Sequence, residues 1–118
     1  MADFLLLFRN EPNGDETPSP EQLQDMFNNW RNWMGGIAAQ NKLVNPGSRL
    51  SHANARVIKP GALVTDGPYT EIKEFISGFI VVSTGSIEEA VDIAKGCPIF
   101  NTGGSVEVRT VVPMENNK

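Results

Sequence analysis

The sequence predicts an α+β domain of 118 residues with elements in the order β-α-β-(β)-β-α-β. That order gives a ferredoxin-like, split βαβ antiparallel sheet with two helices on one face. Two kinds of segment predict it. FLLLF at residues 4–8 and GFIVVS at 78–83 are short apolar runs next to turn formers, as strands buried on both faces are. Two serine-led segments, S-P-E-Q from residue 19 and S-I-E-E from residue 86, open amphipathic helices between strands.

The first strand, residues 4–9, ends at Asn10, Pro12, Asn13 and Gly14. In the first helix Ser19 is the N-cap, Pro20 the first helical residue, and Gln22 closes a capping box. Leu23, Met26, Phe27, Trp30, Trp33, Met34 and Ile37 form its apolar stripe, and the helix runs to about Gln40. Gly35-Gly36 costs roughly 1 kcal/mol per glycine against Ala, so the helix either kinks there or packs its backbone tightly. Residues 45–48 (N-P-G-S) read as a turn, and 49–59 as a weakly alternating strand with Leu50, His52, Asn54, Arg56 and Ile58 on one face. A short return strand at 62–64 precedes a reversal on Asp66, Gly67 and Pro68. The second helix, capped by Ser86 in a second capping box, turns Ile87, Ala90, Val91 and Ala94 inward and stops at Gly96. Residues 105–112 make the last strand, and 114–118 a frayed tail.

Composition narrows the function classes. Fourteen acidic against ten basic residues, with no basic run, give a net charge of −4 and no footprint for nucleic acid. One Cys and one His cannot supply a four-ligand zinc site or a disulfide, so neither metal nor cofactor is expected, and a reducing cytoplasmic setting fits. The first apolar run is far below the roughly 20 residues that span a bilayer, so no membrane association is expected. The chain also has no G-x-G-x-x-G, P-loop or G-x-S-x-G segment. Residues 1–118 read as one domain.

The strands raise a covering problem. Phe4, Leu6 and Phe8 oppose Leu5 and Leu7 across the first strand, as Phe79 and Val81 oppose Ile80 and Val82. Two helices hide one sheet face, and burying the other is worth about 25 cal/mol per Å². A homodimer with sheets packed face to face covers it with two-fold symmetry.

The densest chemistry is T-D-G-P-Y-T-E-I-K-E-F-I-S-G-F at residues 65–79. It resembles the signature of the DGPF family, a branch of the YCII-related proteins. The resemblance continues through Gly78-Phe79, A-K-G-C-P at 94–98 and V-E-V-R at 106–109, covering most of the C-terminal half. It implies a dimeric α+β barrel, kinship with small enzymes such as muconolactone isomerases, and, for members beside sigma factors, a rival regulatory role. Tyr69 stands where the family usually has Phe, and Thr110 where it often has Pro. The helix His that YCII proteins outside this branch pair with an Asp has no counterpart here, so that dyad is not transferred to His52.

Asp66 is the leading catalytic candidate, as a general base or a binder of a cationic group; its ordinary alternative is the first residue of a turn. His52 is a second catalytic candidate. With Asn54 and Arg56 it either lines a pocket, Arg56 holding an anion, or belongs to a solvated strand face. Tyr69, Glu71, Lys73 and Glu74 are binding candidates, and the default for the three charged ones, Glu71, Lys73 and Glu74, is solvated or paired surface charge. Arg109 is expected to pair with Glu107, Trp30 and Trp33 to lie in the core, and Cys97 to be inert. Two functions follow. One is a homodimer that binds, and transforms by acid/base chemistry, a small organic molecule. The other is a non-catalytic module whose acidic loop, residues 66–74, recognises a basic partner such as a sigma-factor-type regulator.

Overall fold

The computed structural model describes residues 1–10, 19–51, 54–67 and 75–114. Its elements are β1 (Ala2–Asn10), α1 (Pro20–Ala39), β2 (Leu43–Arg49), β3 (Ala55–Lys59), β4 (Leu63–Gly67), β5 (Phe75–Thr84), α2 (Ile87–Ala94), a 3₁₀ turn (Pro98–Thr102) and β6 (Ser105–Thr110). β2, β5, β1 and β6 lie side by side in that order, every neighbour antiparallel. This is the ferredoxin-like arrangement, an open sheet with an inserted β3–β4 hairpin that forms a separate two-stranded sheet.

The core lies between sheet and helices. Phe4, Leu6 and Phe8 of β1 and Ile80 and Val82 of β5 are buried with Ile37, Ala90, Ala94, Cys97 and Ile99. Phe8, Trp30 and Trp33 meet edge to face with centroids 4.9, 6.0 and 5.7 Å apart, an arrangement that aligns ring edges with ring faces. Trp33 Nε1 donates to the Ile93 carbonyl at 3.1 Å and so ties α1 to the second helix.

Both helices start where their caps place them. Ser19 Oγ accepts from Gln22 N and Gln22 Oε1 from Ser19 N, a complete capping box. The second cap is half a box: Ser86 Oγ accepts from Glu89 N, but the Glu89 carboxylate turns to Gly85 N and Lys42. In α2, Ala90 and Ala94 are buried and Ile93 packs against them, while Ile87 and Val91 of the expected stripe lie at its margin, 39% and 37% exposed. The α1 stripe packs on the sheet from Trp30 onward, leaving Leu23 and Phe27 51% and 58% exposed. The helix is continuous through Gly35 and Gly36, and a Cβ at either would meet nothing within 4 Å among the described residues, so no packing there demands them.

Three expectations for the middle of the chain are corrected. The 45–48 segment is inside β2, bulged rather than reversing: Asn45 pairs with Val81 and Ser48 with Phe79, two residues spanning the place of one. Gly47 at φ +68° makes that possible, its N–H bonded to Asn45 Oδ1 at 2.8 Å. The expected 49–59 strand is two strands, so of its polar row only Arg56 and Ile58 share a strand face. The return strand extends to Gly67, because five rungs with β3 hold Asp66 and Gly67 extended. Pro68, the last residue of the expected reversal, lies outside the described residues, as does the tail beyond Met114. β6 ends at Thr110, two residues short of expectation, although Val111 N still bonds the Asp3 carbonyl at 3.0 Å.

Candidate functional site

Two places on the outer surface gather chemistry. The first is the sheet face opposite the helices. Register places Leu5 between Arg109 and Val81, and Leu7 between Glu107 and Phe79; Asn45 and Ser48 follow on β2. Leu5, Leu7, Phe79 and Val81 thus form an apolar stripe two strands wide, each side chain half-buried. Asn45 and Ser48 border it on one side and charged residues on the other.

That charged border is an ion triad. Arg9 Nε and Nη2 donate to Glu107 Oε1 at 3.1 and 2.9 Å, and Arg109 Nη1 donates to Oε2 at 3.2 Å. The hydrogen bond from Arg9 is the main reason the Glu107 carboxyl sits below the usual carboxylate range, with Arg109 adding to it. Arg109 pairs with Glu107 as the two-residue spacing predicts. Arg9 was not singled out by the sequence, although its odd position puts it on the face of Leu5 and Leu7.

The second place is the hairpin. Arg56 stands directly across from Asp66, Val57 from Thr65 and Ile58 from Val64. Arg56 Nη1 donates to the Ala55 carbonyl at 2.9 Å. Of the other site residues expected from sequence, His52, Pro68, Tyr69, Glu71, Lys73 and Glu74 lie outside the described residues, and Gly67 ends β4 opposite Ala55. The structure therefore brings together one pair of candidates, Arg56 and Asp66, on neighbouring strands. Asn54 is exposed and outside any strand.

Cys97 is buried, and burial pushes its thiol up to about 12, so it stays protonated and unreactive at neutral pH. Among the described residues no three His, Cys, Asp or Glu side chains are placed to hold a metal ion, and no helix is long and apolar enough to cross a membrane.

Comparison with known proteins places this frame. The sequence model of the YCII-related domain matches residues 2–115. The uncharacterized protein R00369 of Rhizobium meliloti (strain 1021) is 42% identical over 48 residues, 40% of this chain and 39% of that protein, so the match spans about two fifths of the relative. Among solved structures, the chain is similar to TftG, the 5-chloro-2-hydroxyhydroquinone dehydrochlorinase of Burkholderia phenoliruptrix AC1100 in complex with 2,5-dihydroxybenzoquinone. The identity is 16%, the TM-score 0.45, and 90% of each chain is covered.

Proposed function

This chain belongs to the YCII-related domain family, and on that premise we propose that it is a cytoplasmic homodimer of the DGPF branch that binds and transforms a small organic molecule. The sheets pack face to face as a dimeric α+β barrel. The Asp66 carboxylate moves a proton, and Arg56 anchors an anionic part of the ligand.

The observation that carries this reading is the bordered stripe on the outer sheet face. Leu5, Leu7, Phe79 and Val81 form an apolar centre, with Arg9, Glu107 and Arg109 on one side and Asn45 and Ser48 on the other. A dry centre with a polar rim is the anatomy of a protein interface. The Arg56–Asp66 rung adds a cation for binding and a carboxylate for proton transfer at neighbouring positions.

A thermal-shift screen against a metabolite library tests the ligand. A compound that selects the folded state raises the melting temperature, by an amount set by its concentration relative to Kd. The expected result is a shift that Asp66→Asn abolishes while the variant still sediments as a dimer. An undiminished shift in Asp66→Asn contradicts the role of Asp66. A library that leaves the wild-type melting temperature unmoved favours the second reading, an interaction module for a basic protein partner.

A further inference from the structure

We infer that the open edge of β6 is a contact between copies of this chain, in which two β6 strands pair antiparallel about a two-fold axis at Val108. This edge is a different surface from the outer sheet face of the proposed homodimer, and the contact goes beyond that reading.

The two edges of the sheet are not alike. β2 and β6 are its outer strands. The β2 edge is blunted, because Pro46 lacks an N–H and the Gly47 bulge breaks the register; both devices keep an edge from adding a strand. β6 has neither, and runs against β1 in unbroken register from Ser105 to Thr110.

One hydrogen bond shows which backbone groups of β6 are open. Val111 N donates to the Asp3 carbonyl of β1, and the backbone groups of successive strand residues point to alternate sides. Ser105, Glu107 and Arg109 therefore turn theirs to β1. Val106, Val108 and Thr110 turn theirs to the open side, where they meet no partner among the described residues. Such a row is a template for another strand.

Register and charge select a second β6. An antiparallel copy must set open groups against open groups, so the axis falls on a residue and not between two. An axis at Glu107 opposes two Glu107 carboxylates, and one at Arg109 opposes two Arg109 guanidinium groups. Axes at Val106 or Thr110 leave both charges facing neutral residues. The axis at Val108 sets Glu107 of each copy across from Arg109 of the other, an opposite-charge pair on both sides of the axis. These pairs occupy non-hydrogen-bonded positions, where Cα atoms lie about 4.5 Å apart and side chains meet closely. Arg109 gives only Nη1 to Glu107 of its own chain and is exposed, so its other donors are available to the second copy. One strand edge covers less than the about 800 Å² per partner of a standard interface, so the contact forms as protein concentration rises.

Cysteine pairing tests the register. Glu107→Cys and Arg109→Cys are oxidised mildly at high protein concentration, each alone and the two mixed; Cys97 is buried and takes no part. Only the mixture places two cysteines opposite each other, at a Cα separation a disulfide can bridge. The expected result is a linked species of twice the chain mass that needs both variants, rises with concentration and persists when Leu7→Glu is added. If either variant fails to fold, Val106→Cys mixed with Thr110→Cys probes the same register. A folded mixture that links no more than its separate components overturns the edge contact, and so does a link that Leu7→Glu abolishes. A link that persists in a chain whose dilute wild type is monomeric supports the edge contact and overturns the homodimer alone.

Discussion

Glu107 shows how one side chain on the outer face ties register to solution behaviour. Each of its oxygens takes a different arginine, Arg9 and Arg109, and the Arg9 hydrogen bond holds its carboxyl below the ordinary range. A carboxyl whose folded value is depressed contributes stability above its unfolded value, about 4.3, and loses that contribution as pH falls through the folded value. Urea midpoints measured from pH 6 down to 2 are expected to fall below about pH 4.3 in the wild type. Glu107→Gln should start lower and fall less steeply; a variant with the same acid limb would contradict the assignment. Glu89, lowered mainly by its hydrogen bond to Lys42, shares this limb, so one variant flattens only part of it. Arg109 was legible beside Glu107 because the pairing is local. Arg9 was not, because its partner is 98 residues away and appears only once β1 and β6 are aligned.

The elements divide by whether local or distant contacts define them. Helix starts could be read from the sequence, since Ser19 and Ser86 satisfy amides within their own first turns. Strand limits in the middle could not, because Asn, Gly and Pro serve turns and bulges alike. Asn45-Pro46-Gly47-Ser48 is such a case: pairing with β5 makes it a bulge. Asp66-Gly67 is another, held extended by β3. Gly47 offers the sharpest test. Its φ is +68°, and a Cβ there would fall on the Phe79 carbonyl oxygen. Gly47→Ala is expected to lower stability by more than about 1 kcal/mol in urea unfolding, since Ala is strained at this φ and the clash adds to it. An unchanged midpoint would mean that the β2 edge does not follow β5 as described. The inward faces of the helices were read only in part: Leu23, Phe27, Ile87 and Val91 have the right spacing but are only partly covered. Periodicity gives a face, not how much of it the sheet reaches.

At the scale of the molecule, strand order followed from element order, because short connections and right-handed crossovers leave few alternatives. The two-sided apolar character of β1 and β5 was equally legible: Leu6, Ile80 and Val82 go under the helices, and Leu5, Leu7, Phe79 and Val81 go to the other face. What the sequence concealed is the hairpin as a separate sheet, since nothing local tells a strand that joins the main sheet from one that leaves it. The account depends on the uncovered sheet face being covered by a second copy. Sedimentation equilibrium of the wild type beside Leu7→Glu, with far-UV circular dichroism as the check on folding, tests this most directly. A wild type at twice the chain mass and a folded Leu7→Glu at one chain mass is the predicted result; a monomeric wild type, or a Leu7→Glu protein that stays dimeric, would contradict it.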